Sequence, residues 1–578
     1  MAYYKTKRIS GQEYLYIYET RLVDGKPRPV MLAYLGKADR ALSRFGGEPP
    51  REEIRSFAHG AVAAALSLAD ELGVAEIVDG AAARPRKGAP RHAHPSVGQT
   101  LVLGAIGLVV RPTSKRAFAS WASTTTLPVL WKFDADAITS QYFWDQMDRI
   151  PKRALDRIGD ELTPRVLEYT GVELDTIFYD NTNFYTFIDS ANDRCTVARR
   201  GDSKQKRRDL RQVNVGLLVA RDGWIPLRHD IFRGNQNDVS RFPEAIAGAG
   251  QRLSALGISP GEVTLVCDKG NISKANLGGL DESRLHYVTS LPPSRMKDLS
   301  ERPLDEFTEV DVPEVGARRA LRVEREIAGR ARTVVVLDSP TLRHGQLRGL
   351  GQTLTRPVGA LMKLAHRLKV GRRRKRERLE AQVRRIIKAA RSAGRILRWE
   401  ITDAGDRRYR LDWWIDQEAY EHLRDRRYGR RVLITDRAEW STADILLAYW
   451  GASEAEHAFA ALKDPRHCAI HTPHHWTDQK LAVHTFMAVL AYTIMAIIRR
   501  RARALGFTQD SRALVDMLDG IRVARLKEVR TGPGRRRVRW QAEEADASAS
   551  TLYRDLVSTR YDLGSIPREA PTRTARTG

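Results

Sequence analysis

The chain has 578 residues, 42% hydrophobic and 29% charged, enough apolar content to bury a sizeable core, with a length prior of three or four domains. Lys and Arg number 97 against 71 Asp and Glu, a net charge of +26 that excludes the usual acidic metabolic enzyme and points to a polyanionic partner, nucleic acid first and a membrane surface second. The three cysteines, Cys195, Cys267 and Cys468, lie far apart with no C-x-x-C pair, so neither a disulfide framework nor a zinc finger is supported and a reducing cytoplasm fits.

Residues 1–40 predict a small β meander, since EYLYIYETRLV and RPVMLAYLG are β-rich runs joined by the turn sequence DGKPR. Residues 41–167 predict a helical region: Ala-rich apolar spacing runs over 52–80, a Pro- and Arg-rich loop follows, and SVGQTLVLGAIGLVV, SKRAFASWAS and ITSQYFWDQMDRI have helical spacing with Ser or Thr caps. The texture changes at 168–291. DTIFYDNT, RQVNVGLLVA and WIPLRHDIFRG read as three strands, the last two joined by a turn at Arg221-Asp222-Gly223. A helix, the apolar run VTLVCD, a second helix capped by Ser273 and the strand HYVTSL complete the order β-β-β-α-β-α-β. That is the order of an α/β ribonuclease H-like core, with antiparallel strands first and crossovers to parallel ones after.

Residues 292–440 predict a mixed insertion, with a basic helix and β-rich runs, packed on that core. Helices return over 441–505 to close it, and 506–578 is basic and then polar, with a disordered end expected. Within the closing helices, Leu481–Ile498 has no Asp, Glu, Lys or Arg and reaches the lower limit of a membrane span. His484, Thr485, Tyr492 and Thr493 interrupt it, so it reads as a buried helix, and no membrane partner is expected. The first residues, MAYYKTKRIS, contain no apolar signal core.

Three carboxylates fall where a two-metal site needs them. Asp180 shares a strand face with Phe178 by the period of two. Asp268 ends the strand VTLVCD, where a parallel strand opens into a crevice. The third belongs on a helix against the sheet, where Glu454 and Glu456 are the choices in YWGASEAEHAFAALKD. A two-residue step turns a helix by about 200°, so only one of them can face the sheet. Glu456 shares a face with Tyr449, Phe459 and Lys463, and the interior preference of Phe459 selects it over Glu454. Such a trio suits Mg²⁺, a hard ion with oxygen ligands, and two ions can clamp the attacking and leaving oxygens of a phosphodiester displacement. Taken singly, each residue has a plain structural alternative: an Asx turn at Asp180, a turn start at Asp268 and a capping box from Ser453 to Glu456.

The ordered set of YDNTNFY, GLLVARDGWIPL, F-x-G-N-x-x-D at Phe232–Asp238, VCDKGNIS, and Tyr449 with Glu456 and Lys463 resembles the bacterial insertion-sequence DDE transposases, in the large group with a Y-x2-R-x3-E-x6-K signature and a β-rich insertion before the glutamate. The resemblance covers about residues 1–500. It implies Asp180, Asp268 and Glu456 as catalytic metal ligands for two Mg²⁺ ions (with Mn²⁺ able to substitute), and Tyr449 and Lys463 as signature partners at the DNA. The implied activity is strand cleavage by water followed by attack of a 3′-hydroxyl on target DNA. A homodimer or larger assembly on two element ends, in a bacterial cytoplasm at the nucleoid, is implied with it. The chain departs at Ala452, where the signature has arginine, and at Lys269, where an arginine often follows the aspartate.

Basic runs supply a further footprint for phosphates: Lys204, Lys206, Arg207 and Arg208, then Arg372, Arg373 and Arg374, then the run from Arg535 to Arg539. Each alone also reads as solvated charge. Residues 96–165 are the candidate reader of element ends by resemblance. The histidine cluster His471, His474 and His475 has no standard metal-ligand spacing, and Pro473 places it in a loop. Two alternatives to a transposase follow from the same residues: a nuclease or resolvase of ribonuclease H fold that only hydrolyses, and a degenerate copy that binds DNA without cutting it.

Overall fold

The computed structural model describes residues 2–23, 26–38, 52–83, 95–201, 207–370, 375–405, 408–470, 475–528 and 538–566, with the backbone alone at 23, 52, 370, 392 and 452–455. The described strands are β1 (Ala2–Ile9), β2 (Gln12–Val23), β3 (Lys26–Lys37), β4 (Glu52–Ala58), β5 (Thr176–Thr186), β6 (Arg199–Arg200), β7 (Arg211–Ala220), β8 (Pro226–Arg233), β9 (Thr264–Cys267), β10 (His286–Leu291), β11 (Thr308–Val312), β12 (Gly316–Ile327), β13 (Arg330–Asp338), β14 (Leu397–Asp403), β15 (Tyr409–Ile415), β16 (Arg430–Thr435), β17 (Arg522–Glu528) and β18 (Val538–Ala542). The principal helices are α1 (Gly60–Glu71), α2 (Val74–Ala81), α3 (Val97–Val110), α4 (Ser140–Asp148), α5 (Lys152–Thr170), α6 (Asp238–Ala255), α7 (Lys274–Ser283), α8 (Pro340–Val370), α9 (Arg376–Ala389), α10 (Thr442–Lys463), α11 (Asp478–Ala504), α12 (Ser511–Asp519) and α13 (Ala547–Leu556).

The chain divides into two compact units, one made of 1–64, 122–132 and 517–578, the other of 65–121 and 133–516. The first unit holds two three-stranded sheets, β1-β2-β3 and β18-β17-β4. The second of these corrects the helical expectation over 52–80: Glu52–Ala58 is a strand, paired antiparallel with Arg522–Glu528. Its partner lies at the far end of the chain, so local spacing does not reveal it. The polar stretch QAEEADASAS likewise holds the start of α13, capped by Asp546. Within this unit the buried His59 ring bridges Thr126 Oγ1 and the Tyr553 hydroxyl, each at 2.9 Å, while Trp131 Nε1 donates to the Tyr561 hydroxyl at 3.0 Å.

The second unit is built on a ten-stranded mixed sheet in the order β11-β12-β13-β16-β10-β9-β5-β7-β6, with β8 also on β7. Its centre, β8-β7-β5-β9-β10, is three antiparallel strands followed by two parallel ones. Crossovers through α6 and α7 create the parallel pairs, as the connection length requires. Tyr179 of β5 meets Phe242 of α6 at 5.9 Å between rings, while Phe178, pointing the other way, lies against Gly451 of α10. On that same face His229 of β8 meets Phe486 of α11 at 6.2 Å. The sheet is thus covered on both faces, α6 on one and α10 with α11 on the other, which explains the unbroken burial of β7 and β9.

The insertion over 292–440 does more than pack on this core. Strands β16, β13, β12 and β11 continue the sheet outward from β10, while α8, α9 and the β14–β15 hairpin enclose a small apolar core of their own around Leu361, Leu364 and Val383. Helix α11 is long and apolar enough to cross a membrane by composition, and its apolar window is buried entirely within the protein.

Candidate active site at the carboxyl ends of the central strands

Strand β5 runs through YDNTNFY, so Asp180 is a mid-strand residue and not the start of an Asx turn. The parallel register of β5 with β9 pairs Phe178 with Val266 and Tyr179 with Cys267. The next residue on each chain is Asp180 and Asp268, the latter with its backbone still extended (φ −79°, ψ 156°) before a 3-10 turn over Lys269–Asn271. Neighbouring strands lie about 4.8 Å apart, and in-register residues of a parallel pair share a face. Asp180 therefore opens on the face that α10 covers and is half-buried, while Asp268, just past the end of β9, is exposed. The enclosed Cys267 thiol registers both: burial pushes its pKa up to about 12, and the charges of Asp268 and Asp180 add in the same direction.

A polar network braces the turn after Asp268. Asn181 Nδ2 donates to Asn271 Oδ1 at 3.4 Å, and Asn276 Nδ2 donates to the Asn271 carbonyl at 2.6 Å. Arg241, buried on α6, reaches Asn181 Oδ1 at 3.5 Å and is ion-paired with Asp238. Gly270 sits between two acids: a Cβ there would stand 3.3 Å from Asp238 Oδ2 and 3.9 Å from Asp268 Oδ2. The Phe232–Asp238 motif thus ends beside Asp268, and the bracing role of Arg241 and the asparagines had no signal in sequence spacing.

Helix α10 starts at a capping box between Ser441 and Asp444, so Ser453 lies mid-helix and is not a cap. Gly451 faces Phe178, where a Cβ would come within 2.5 Å of the ring. Glu456, five residues on, is turned about 140° from that direction, and it is exposed. Its expected companions are on α10 as well: Phe459 is buried, Tyr449 is half-buried with its ring 6.0 Å from the Arg431 guanidinium, and Lys463 ends the helix half-buried. Asp180 and Asp268 thus lie on neighbouring strands, each directly after the last paired residue, and Glu456 is on α10. Among the described residues no group of three His, Cys, Asp or Glu side chains closes around a metal position. The side chains at 452–455, Glu454 and Ala452 included, lie outside the described set.

Of the basic candidates, Lys269 is exposed in the turn after Asp268. Arg207 is exposed, clasping Asp209 at 2.7 Å and lying 5.9 Å from the Tyr185 ring; Arg208 is exposed beside it. Lys204, Lys206, Arg372, Arg373 and Arg374 fall outside the described residues, as do His471 and His474. His475 is buried, stacked on His484 at 4.3 Å, with Lys115 Nζ 3.2 Å from its Nε2.

A groove of about 1020 Å³ runs beside α10, lined by Phe178, Gly451, Trp224, Trp450 and the arginines 221, 499, 500 and 503. Arg499 lies 3.6 Å over the Trp224 ring. The sequence signal for Arg499, Arg500 and Arg503 is the basic run that closes the apolar stretch of α11, and Arg221 belongs to the turn before β8.

No family model matches the chain, and no curated protein does. Among solved structures the chain is similar, distantly, to a piggyBac transposase in a synaptic complex with hairpin DNA, with a TM-score of 0.40 and 9% identity over 91% of this chain and 90% of that one.

Proposed function

We propose that the chain is an insertion-sequence DNA transposase that cleaves and joins DNA strands at the carboxyl ends of β5 and β9. The observation that supports the reading is the parallel β5–β9 register, whose last pair, Tyr179 with Cys267, immediately precedes Asp180 and Asp268. The strand order β8-β7-β5-β9-β10, with its antiparallel-then-parallel pairing, supports a ribonuclease H-like core beneath the site. Two adjacent carboxylates, one of them exposed, are a hard-oxygen donor set that fits Mg²⁺, an ion that keeps several waters and needs few protein ligands. Bound there, the metal would polarise the scissile phosphate and stabilise charge on the attacking and leaving oxygens. Asp180 and Asp268 would hold it, with the asparagine and Arg241 network keeping the turn after Asp268 in place. Glu456 is proposed as the third ligand on its place in α10.

The arginine-lined groove beside α10 suits a phosphate backbone, and the +26 charge suits the long DNA contact of two element ends in a dimer or larger assembly. Cleavage alone would describe a nuclease, so the test must read joining. The full chain is incubated with a labelled duplex of the element's terminal repeat, a supercoiled target and Mg²⁺. The expected result is a nick at the repeat end followed by label covalently joined to the target. Nicking without joining supports the hydrolytic alternative, and tight binding without nicking supports a non-catalytic copy.

A further inference from the structure

The β1–β3 sheet sorts its side chains by chemistry. The register pairs Tyr3 with Tyr18 and Lys5 with Tyr16 on adjacent antiparallel strands, so these side chains share one face with Lys7. Tyr34 joins them from β3, opposite Tyr16. The rings form a continuous series: Tyr16 and Tyr34 stand 5.0 Å apart between centroids, Tyr16 and Tyr18 6.2 Å, Tyr18 and Tyr3 6.3 Å. Lys7 lies 5.6 Å from the Tyr16 ring and 5.5 Å from that of Tyr18, and Lys5 lies 5.8 Å from Tyr18. The acids go to the other side: Glu13 and Glu19 pair opposite Arg8 and Ala2, and Glu19 accepts from Arg21 at 2.8 Å. The tyrosine face is thus cationic with no carboxylate among its paired residues, and Tyr3 (40%) and Tyr34 (54%) are well exposed.

We infer that this face is a stacking platform for an unpaired DNA strand. Tyr18 is buried and supports the series from beneath, Tyr16 is half-buried, and Tyr3, Tyr16 and Tyr34 offer ring faces to bases while the lysines meet the phosphates. A duplex keeps its base faces inside its own stack, so the rings select single-stranded over double-stranded partners. An apolar protein partner would leave the lysine charges desolvated, which disfavours that occupant. The choice of DNA over RNA rests on the proposed function; the platform itself does not depend on the carboxylate pair.

The test is fluorescence anisotropy of the full-length chain with a labelled oligothymidylate of about 15 nucleotides, without Mg²⁺, beside a duplex and an oligouridylate of equal length. Tyr16→Ala and Tyr34→Ala are each expected to weaken single-strand binding by roughly ten-fold, while Tyr16→Phe and Tyr34→Phe keep it and duplex binding stays within about two-fold of the parent. Photo-cross-links from a 4-thiothymidine strand are expected on the β2 and β3 peptides. The same affinities are expected in Asp180→Asn, so failure of the cleavage reading leaves this result standing. Alanine variants that bind like the parent, a parallel loss of duplex binding, a preference for the oligouridylate, or cross-links confined to other segments would each overturn the inference.

Discussion

Asp180 and Asp268 each directly follow the last paired position of the β5–β9 register, Tyr179 against Cys267, so the two aspartates leave neighbouring parallel strands at the same level. That adjacency makes a specific demand. Asp180→Asn and Asp268→Asn keep side-chain size but remove an anionic ligand, so each is expected to abolish Mg²⁺-dependent nicking of a terminal-repeat duplex. Thermal melts should stay within a few degrees of the parent, since neither carboxylate is fully buried. A variant that nicks at the parent rate removes that aspartate from the metal site.

Helix α10 meets β5 through a glycine, Gly451 against the ring of Phe178. Gly451→Val would drive its side chain into the Phe178 ring, which already lies 2.5 Å from where a Cβ would sit. Overpacking of this kind destabilises by about 1–3 kcal/mol. The urea midpoint is expected to fall, with nicking reduced even where the protein stays folded.

The core strands were legible in the sequence because period-two apolar runs bounded by turn residues identify them one at a time, and chain order then orders the sheet. The β4 strand was not, because Glu52–Ala58 acquires its partner from Arg522–Glu528 at the far end of the chain. Nor was the extension of the sheet by β16 and β13, since a β run does not carry the identity of its neighbour. The phase of α10 is not fixed by spacing alone. A helical wheel gives relative directions, and Phe459 is indeed buried, but Ile445, Leu446, Ala458 and Leu462 are buried too. With apolar residues on more than one side, the wheel does not say which side meets β5, and Gly451 does.

In the sheet extension, Arg430 is fully enclosed, with its charge met by Asp338 at 2.7 Å and the carbonyls of Asp425 and Arg302 at 3.0 and 3.2 Å. Arg343 pairs with the same carboxylate. Asp338→Asn leaves that guanidinium buried without its counter-ion, a change that costs about 3–5 kcal/mol. The expected readout is a marked drop in the urea midpoint, with Arg430→Met in the same background recovering part of it. An unchanged midpoint for Asp338→Asn would show that the carbonyls alone suffice.

His59 links pH to the stability of the first unit. Burial pulls its pKa from 6.5 down to about 4, with the nearby Asp562 opposing the shift. The unfolded chain therefore binds the proton first as pH falls, so stability is full above about 6.5 and is lost progressively toward 4, by at most roughly 3 kcal/mol. Melting temperatures between pH 7 and 4.5 should fall, and His59→Gln should lose its share of that slope. His229, also pulled down to about 4 by burial, keeps its own share in the variant.

The third metal ligand is decided by comparing two glutamates on one helix. Glu456 is exposed and turned about 140° from the direction in which Gly451 meets Phe178. Glu454 differs from it by about 200° of helical turn, so the two cannot serve the same site from one helix position. The proposed function assigns the role to Glu456, and Glu456→Gln is then expected to lose nicking with both Mg²⁺ and Mn²⁺ while Glu454→Gln keeps it. Both substitutions preserve helix propensity and side-chain length, so circular dichroism and melting should match the parent and the difference reads metal placement. If Glu454→Gln is inactive and Glu456→Gln active, the ligand moves by two residues and the Asp180–Asp268 pair keeps its role. If both variants nick like the parent, α10 supplies no ligand, and the site is a two-carboxylate one.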